Sequence, residues 1–488
     1  VAASLVRDGF KPGDAIAVIM PMTVECVAIY LGIIKAGCAV VGIADSFRPK
    51  EIAVRLRIAN TVAIFTQDIM VRAGKSHPLY TNLLEAEAPR AIVLPAGKTV
   101  AVSMRAGDCN WQDFLSNETQ FDALLRKPTD CVNILFSSGT TGEPKAIPWT
   151  HTTPIKCAMD AHFHQNIQAG DVVAWPTNIG WMMGPWLIFA SLMNRSAMAL
   201  YNGVPSGRAF GQFIQDTKTT MLGVVPSLVK AWRNSACMDG LDWKGIKLFS
   251  STGECSTADD MHWLMYLAGG RPVIEYCGGT EIGGGYITGT VTRPCAPGIF
   301  NTPALSLDVV ILNETGTPAQ NGELFLVPPS IGLSTTLLNK DHHDVYYANT
   351  PRGPHGETLR RHGDQIEQFA GGYWRALGRA DDTMNLGGIK VSSAEIEMAL
   401  RSVPDVLETA AIAIAPGGGP SQLVIYAVLK SNAVATRDAL LAKMQTAIKT
   451  DLNPLFKIHD LVFIDAMPRT ASNKVMRRTL RDRYLTQS

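Results

Sequence analysis

Nine consecutive residues, Ser137-Ser138-Gly139-Thr140-Thr141-Gly142-Glu143-Pro144-Lys145, have the make-up of a loop that holds phosphate. Small hydroxyl residues and glycines let backbone N–H and side-chain O–H groups turn toward phosphate oxygens, and Lys145 adds a positive charge. The run follows an apolar stretch, Val132–Phe136, that has strand character. Its order is not that of the common nucleotide loop, which ends Gly-Lys-Ser/Thr at the start of a helix. Here Pro144 precedes the lysine and stops such a helix. The plainer alternative is a polar loop at a strand end, and the density of Ser, Thr and Gly ahead of Pro-Lys argues against it.

Other chemistry-bearing residues are ambiguous one at a time. Lys474 alone reads as a surface lysine, Asp364 as a turn residue and Glu281 as a charge at a helix N-terminus. His162 with His164, and His342 with His343, have no Cys or carboxylate cluster around them in sequence and read as loop or surface histidines. Gly418-Gly419-Pro420-Ser421 has the look of a phosphopantetheine serine site, but too little chain surrounds it for a carrier domain.

The order of the segments adds what the single residues lack. The 137–145 run resembles the phosphate-binding signature of the adenylate-forming superfamily, which comprises acyl-CoA synthetases, luciferases and peptide-synthetase adenylation domains. Tyr276-Cys277-Gly278-Gly279-Thr280-Glu281 resembles that family's aromatic-Gly-x-Thr-Glu element. His362-Gly363-Asp364, Tyr373-Trp374, Gly378-Arg379-Ala380-Asp381-Asp382 and Gly388-Ile389-Lys390 resemble its ribose-binding and hinge segment. Pro468-Arg469-Thr470-Ala471-Ser472-Asn473-Lys474 resembles its terminal catalytic-lysine motif. The likeness runs from about Gly13 to near the end. With Asn178-Ile179-Gly180-Trp181 and Ser251-Thr252-Gly253-Glu254, it is greatest to the acetyl-CoA-synthetase-like branch, plant peroxisomal acyl-activating enzymes among them.

The resemblance implies an acyl-CoA synthetase. A carboxylate attacks ATP to give acyl-AMP and pyrophosphate, and coenzyme A then takes the acyl group. It implies that Ser137, Ser138, Gly139, Thr140, Thr141, Gly142 and Lys145 hold the β- and γ-phosphates. Thr280 lies by the α-phosphate, and Glu281 binds Mg²⁺, a hard cation suited to carboxylate and phosphate oxygens. Asp364 takes the ribose hydroxyls, and Arg379 and Lys390 help hold the nucleotide. Gly253 and Glu254 lie along one face of adenine, and Glu275 and Tyr276 belong to the ATP-binding set. Lys474 bridges the α-phosphate and the attacking carboxylate, and the small domain that carries it turns about a hinge at Asp381. Arg477 and Arg478 are near enough in sequence to stand in for it in part. A carboxylate attacking a polyanion needs such cancellation of charge.

Departures from the family pattern refine these expectations. Ala146 replaces a glycine, and Lys390 stands where arginine is common. Cys277 stands where relatives place an aromatic on adenine, a role that Tyr276 is expected to take over. Gly278 replaces a tryptophan that walls off the acyl pocket of acetate-specific relatives, so an open pocket for a longer acid is expected there, with Trp181 nearby. A luciferase-like or peptide-synthetase-like enzyme with another acceptor, or a non-catalytic nucleotide-binding relative, are the alternatives.

The elements that must position these residues read as α/β. Apolar runs at Ala15–Met20, Ala63–Thr66, Ala91–Leu94, Met221–Val225, Lys247–Phe249 and Val273–Tyr276 alternate with amphipathic stretches, which predicts layers with mainly parallel sheet. Cys26 to Val41, interrupted by Lys35 and two glycines, reads as one buried helix rather than a membrane span. A β-rich subdomain over about 294–380 completes a large domain, 1–380. A small α+β domain, 381–488, begins with a capping box at Ser392-Ser393-Ala394-Glu395. The net charge of +1 gives no field for nucleic acid or an anionic membrane. Nine scattered cysteines with no C-x-x-C pair suit a reducing, intracellular compartment, peroxisome or cytoplasm; the C-terminus is not a Ser-Lys-Leu address. The chain opens at Val1 without a signal-peptide pattern, and its natural start is expected upstream.

Overall fold

The structure is a computed structural model. It describes residues 1–137, 143–313, 315–386, 389–414, 421–431, 433, 435–469 and 475–487, with only the backbone of 381, 383, 385, 389, 390 and 487. The chain divides into two compact units. The first comprises Val1–Val309, Leu326–Thr350 and Thr358–Arg360, and the second Val310–Phe325, Pro351–Glu357 and Arg361–Ser488. The division falls elsewhere than the expected boundary at 380/381. Strand Tyr373–Arg379 packs on helix Ser393–Leu400, where a Cβ on Gly378 would lie 3.4 Å from that of Ala394.

The first unit is built on two seven-stranded sheets. One runs Cys109–Asn110, Arg90–Leu94, Ala63–Gln67, Ala15–Ile19, Ala39–Gly42, Cys131–Ser137, Lys145–Thr150, and only its last pair is antiparallel. The other runs Ala197–Ala199, Val172–Ala174, Met221–Val224, Leu248–Ser251, Val273–Gly279, Gly284–Thr288, Thr302–Pro303, parallel as far as Val273–Gly279. Parallel strands covered on both faces have no polar side to show, which is why Ala15–Ile19 is apolar and buried throughout. The main core takes Val18 and Val40 from one sheet, Val173 and Ile274 from the other, and Cys157 and Trp186 from helices Thr153–Phe163 and Met183–Met193.

Cys26–Val41 is not one helix. Helix Val24–Lys35 ends, Gly37 takes φ +73°, and Ala39–Gly42 enters the sheet. A left-handed glycine just past the last turn is a common helix stop, and it resets the apolar period from helix to strand.

Strands Asp308–Leu312, Asn321–Val327, Arg360–Phe369 and Tyr373–Arg379 form a four-stranded sheet. A three-stranded sheet follows, Val406–Ile414, Gln422–Leu429 and Ile458–Phe463. Along its middle strand Leu423, Ile425 and Ala427 pack on one side with Ile396, Leu440 and Met444. Val424, Tyr426 and Val428 pack on the other with Met467 and Leu480. Period-two alternation thus gives this sheet two buried faces, each covered by helix. The capping box is formed as expected: Ser392 Oγ accepts from Glu395 N, and Glu395 accepts from Ser392 N at 2.8 Å.

Candidate functional site

The phosphate signature joins two strands rather than opening a helix. Ser137, the last residue of Cys131–Ser137, pairs directly with Lys145, the first of Lys145–Thr150. Ser138, Gly139, Thr140, Thr141 and Gly142 lie outside the described residues. At the base of this turn the Ser137 hydroxyl is buried with no hydrogen-bond partner among the described residues. Glu143 forms an ion pair with Arg57. The Asn339 carboxamide donates to Pro144 O at 2.9 Å and accepts from Ala146 N at 3.0 Å, fixing the residues on both sides of Lys145. Ala146, the departure from glycine, is buried strand.

Lys145 Nζ lies 3.8 Å from the Glu281 carboxylate and 4.9 Å from the centre of the Tyr346 ring. Glu281 is held through its backbone: its carbonyl accepts from Ser334 N at 2.8 Å and from Arg360 Nη1 at 3.5 Å. Arg360 is fully buried, donates to Ser334 Oγ at 2.8 Å and stacks 4.1 Å over Tyr346. Burial, then the Glu281 charge, raises the Tyr346 phenol well above its ordinary range. His342 Nε2 donates to Ser334 O at 2.8 Å, and burial followed by the Arg360 charge lowers its pKa. Thr280 is tied to the same strand as Lys145, because Trp149 Nε1 donates to Thr280 O at 2.7 Å. Lys145, Thr280 and Glu281 therefore come together. Arg360, Tyr346, Ser334, Asn339 and Trp149 were not foreseen. Only Arg360 had a signal, a basic pair placed just before His362-Gly363-Asp364.

Tyr276 does not replace the missing adenine aromatic. Its ring is 1% exposed and its hydroxyl donates to Asp160 at 2.6 Å and accepts from Trp186 Nε1 at 3.1 Å. Asp160 is itself buried against Lys156 at 2.7 Å and accepts from Gly285 N at 2.8 Å. Strand alternation decides the matter: with Tyr276 in the core, Glu275 and Cys277 take the other face. There Cys277 Sγ meets Tyr286 OH at 3.0 Å. Glu275 is buried and accepts from Ser256 Oγ at 2.7 Å, and burial pushes its carboxyl up to about 7 against that bond and one from the Gly298 backbone.

Gly278 does not border free volume. A Cβ there would lie 2.0 Å from Gly284 O and 2.9 Å from Gly285 Cα. The two strands meet closely at a bulge between Cys277 and Gly278, so the residue is glycine because backbone fills the place of a side chain. Trp181 is half-buried and packs edge-on against Phe47 at 5.5 Å. Gly253 takes φ +91°, and the Glu254 carboxylate accepts from Ser227 N and Oγ, both at 3.0 Å, in the first turn of helix Pro226–Ser235.

In the second unit Asp364 and Arg379 face each other across a hairpin. Arg379 Nη1 donates to Asp364 at 3.0 Å and to His362 O at 2.8 Å, and His362 Nε2 is 3.4 Å from the other Asp364 oxygen. Asp381 lies in a 3₁₀ turn, Ala380–Asp382. Its side chain, the side chain of Lys390, and the whole of Lys474 lie outside the described residues, as do Gly418, Gly419 and Pro420. Arg477 is not free to replace Lys474, since its guanidinium binds Glu397 at 2.8 Å and Asp382 at 3.2 Å. An exposed group, Asp341, His343 and Asp344, brings three potential ligand atoms together.

Residues 1–332 match the family described as AMP-binding enzyme, and residues 395–474 match the AMP-binding enzyme C-terminal domain. Probable acyl-activating enzyme 17, peroxisomal, of Arabidopsis thaliana is 52% identical over 98% of this chain and 68% of its own length. Hexanoyl-CoA synthase of Cannabis sativa is 49% identical over 99% of this chain and 69% of its own. In fold, the chain is similar to the acetoacetyl-CoA synthetase from Streptomyces lividans, with a TM-score of 0.90 at 24% identity over 100% of this chain and 76% of that one. A phosphate signature closing a β-hairpin beside a Lys-Glu pair, with both family domains in order, has one reading: this chain belongs to the AMP-binding enzyme family.

Proposed function

We propose that this AMP-forming acid–CoA ligase takes medium-chain carboxylic acids, and that its two half-reactions share one nucleotide. The observation that carries the reading of the chemistry is the placement of Lys145, Thr280 and Glu281 around the base of the signature hairpin. The choice of acid is supported by the name of the Cannabis sativa relative.

Each residue has a part that its surroundings suit. Lys145, half-buried and steadied over Tyr346, offers charge to the outer phosphates, and the Ser137 hydroxyl, without a partner among the described residues, offers a donor. Glu281 presents a hard carboxylate oxygen on a backbone fixed by Ser334 and Arg360, which fits Mg²⁺. Mg²⁺, when bound, offsets phosphate charge and favours departure of pyrophosphate. Asp364, oriented by Arg379 and His362, accepts from the ribose hydroxyls. Lys474 lowers the repulsion between the carboxylate and the α-phosphate. Coenzyme A then attacks the acyl carbonyl and AMP leaves.

No described helix is long and apolar enough to cross a membrane. The name of the Arabidopsis thaliana relative supports a peroxisomal rather than cytoplasmic site of action. A panel of straight-chain acids from acetate to dodecanoate in a pyrophosphate-release assay tests the proposal. The expected result is a maximum in kcat/KM near six carbons. A maximum at acetate would overturn the choice of acid, and no acid-dependent release would overturn the activity.

A further inference from the structure

Helix Arg477–Gln487 begins three residues after Lys474, and its first side chain is committed to a half-buried contact. Arg477 Nη2 lies 2.8 Å from each Glu397 oxygen, and Nη1 lies 3.2 Å from Asp382 Oδ2. One turn on, Arg481 Nη2 reaches the other Asp382 oxygen at 3.3 Å. Glu397 also accepts from Ala411 N at 2.9 Å, and Asp382 O accepts from Ser393 Oγ at 3.0 Å. A single guanidinium thus ties together the 3₁₀ turn Ala380–Asp382, helix Ser393–Leu400, strand Val406–Ile414 and the helix after Lys474.

The approach to Lys474 is pinned from the other side as well. Arg469 pairs with Val475 in an antiparallel bridge, and Met476 N donates to Pro468 O at 2.8 Å. Pro468 and Arg469 are thus held against Val475 and Met476, and the next residue in the chain is Arg477. Burial lowers the Arg477 guanidinium and raises the Glu397 carboxyl. The attraction between them more than offsets this for Arg477, whose pKa is raised. A planar fork held by two carboxylates allows little movement, and lysine cannot reproduce it.

We propose that Arg477 is a positioning residue for adenylate formation, fixing the base of the Lys474 segment to the 380–382 hinge turn through Glu397 and Asp382. This rests on the reading of Lys474 as the lysine that serves the first half-reaction. With its guanidinium taken up by Glu397 and Asp382, Arg477 is assigned an indirect part, through Lys474. It follows that Asp382, beside the hinge, matters for the same half-reaction as Lys474.

Removing Arg477 outright would leave Glu397 buried without its cation, and the small domain could fail to fold. Asp382→Asn and Arg477→Lys are the better variants, because each leaves a cation beside Glu397. Both half-reactions are measured in the full chain: ATP–pyrophosphate exchange with hexanoate, and thioester formation from chemically made hexanoyl-AMP and coenzyme A. Lys474→Ala is the reference, expected to lose about 10²–10³-fold in exchange and to keep thioester formation. Asp382→Asn and Arg477→Lys are expected to lose about 10- to 100-fold in exchange kcat, with the KM for ATP and the thioester rate within about twofold of the parent. Placed in the Lys474→Ala background, neither should lower exchange further. A loss that adds to that of Lys474→Ala, an equal loss in both half-reactions, or full activity in both variants would overturn the role of Arg477. Undiminished exchange in Lys474→Ala would instead overturn the reading of Lys474, and the inference with it.

Discussion

Gly278→Ala should disable the enzyme toward every acid alike. From sequence, a glycine in place of the tryptophan of acetate-specific relatives promised open volume and selectivity by chain length. The structure puts backbone there. A single methyl group would lie 2.0 Å from Gly284 O and 2.9 Å from Gly285 Cα, against an ordinary contact of about 3.5 Å. Neither neighbour is a side chain that can swing away. Gly285 cannot retreat freely, because its own N–H is bonded to buried Asp160 and its Cα faces the Tyr276 ring. Relief therefore requires the Gly284–Thr288 strand to move by about 1 Å, and overpacking of this kind costs about 1–3 kcal/mol of stability. The same shift reaches Thr280 and Glu281 in the connection between the two strands, where a displacement of about 1 Å can cost about 10²-fold in rate. The assay is pyrophosphate release with acetate, hexanoate and octanoate, beside urea unfolding of the same protein. Equal loss of kcat/KM for all three acids and a lower urea midpoint are expected. Unchanged stability with loss confined to the longer acids would refute the packing argument and restore Gly278 to the acyl pocket.

Arg360→Lys keeps a buried cation but cannot reach Ser334 Oγ, Ser334 O and Glu281 O together. Loss of one charge-assisted bond, about 1.5–3 kcal/mol, should raise the Mg²⁺ concentration for half-maximal exchange by about tenfold or more, measured by Mg²⁺ titration at fixed ATP. Glu275 has its pKa raised by burial from 4.5 to about 7, so the folded state holds its proton where the unfolded chain has released it. Stability should fall as pH rises across that window, by no more than about 3 kcal/mol. Glu275→Gln should flatten this part of the urea-unfolding profile, and a slope unchanged by the substitution would show that the carboxyl is not the titrating group.

Where sequence succeeded and failed follows from what each feature depends on. Strands such as Ala15–Ile19 and Met221–Val224 were legible because continuous apolar runs are what sheets buried on both faces require. The 137–145 signature, Thr280, Glu281, Asp364 and Arg379 were legible as an ordered set. The direction of Tyr276 was not, because a strand's two faces exchange with a one-residue change of register and only the partners decide between them. Trp186 and Asp160, 90 and 116 residues away in sequence, make that choice. Gly278 misled for the same reason: the backbone that fills its side-chain position belongs to the next strand. Arg360 and Asn339 were missed because a buried polar residue is recognisable only by the distant groups that satisfy it. The break at Gly37 was missed because the apolar content of Cys26–Val41 does not change where its periodicity does.

The central claim is that the acid is activated as an adenylate before coenzyme A accepts it. The most direct measurement uses hexanoate labelled with ¹⁸O in both carboxyl oxygens, turned over with ATP, Mg²⁺ and coenzyme A, with the label followed by mass spectrometry. Attack of the carboxylate on the α-phosphate leaves one carboxyl oxygen on phosphorus when the thioester forms. One ¹⁸O is expected in each AMP released, none in pyrophosphate, and no sustained AMP release when coenzyme A is omitted. Label in inorganic phosphate with ADP as product, or AMP release at the same rate without coenzyme A, would contradict it.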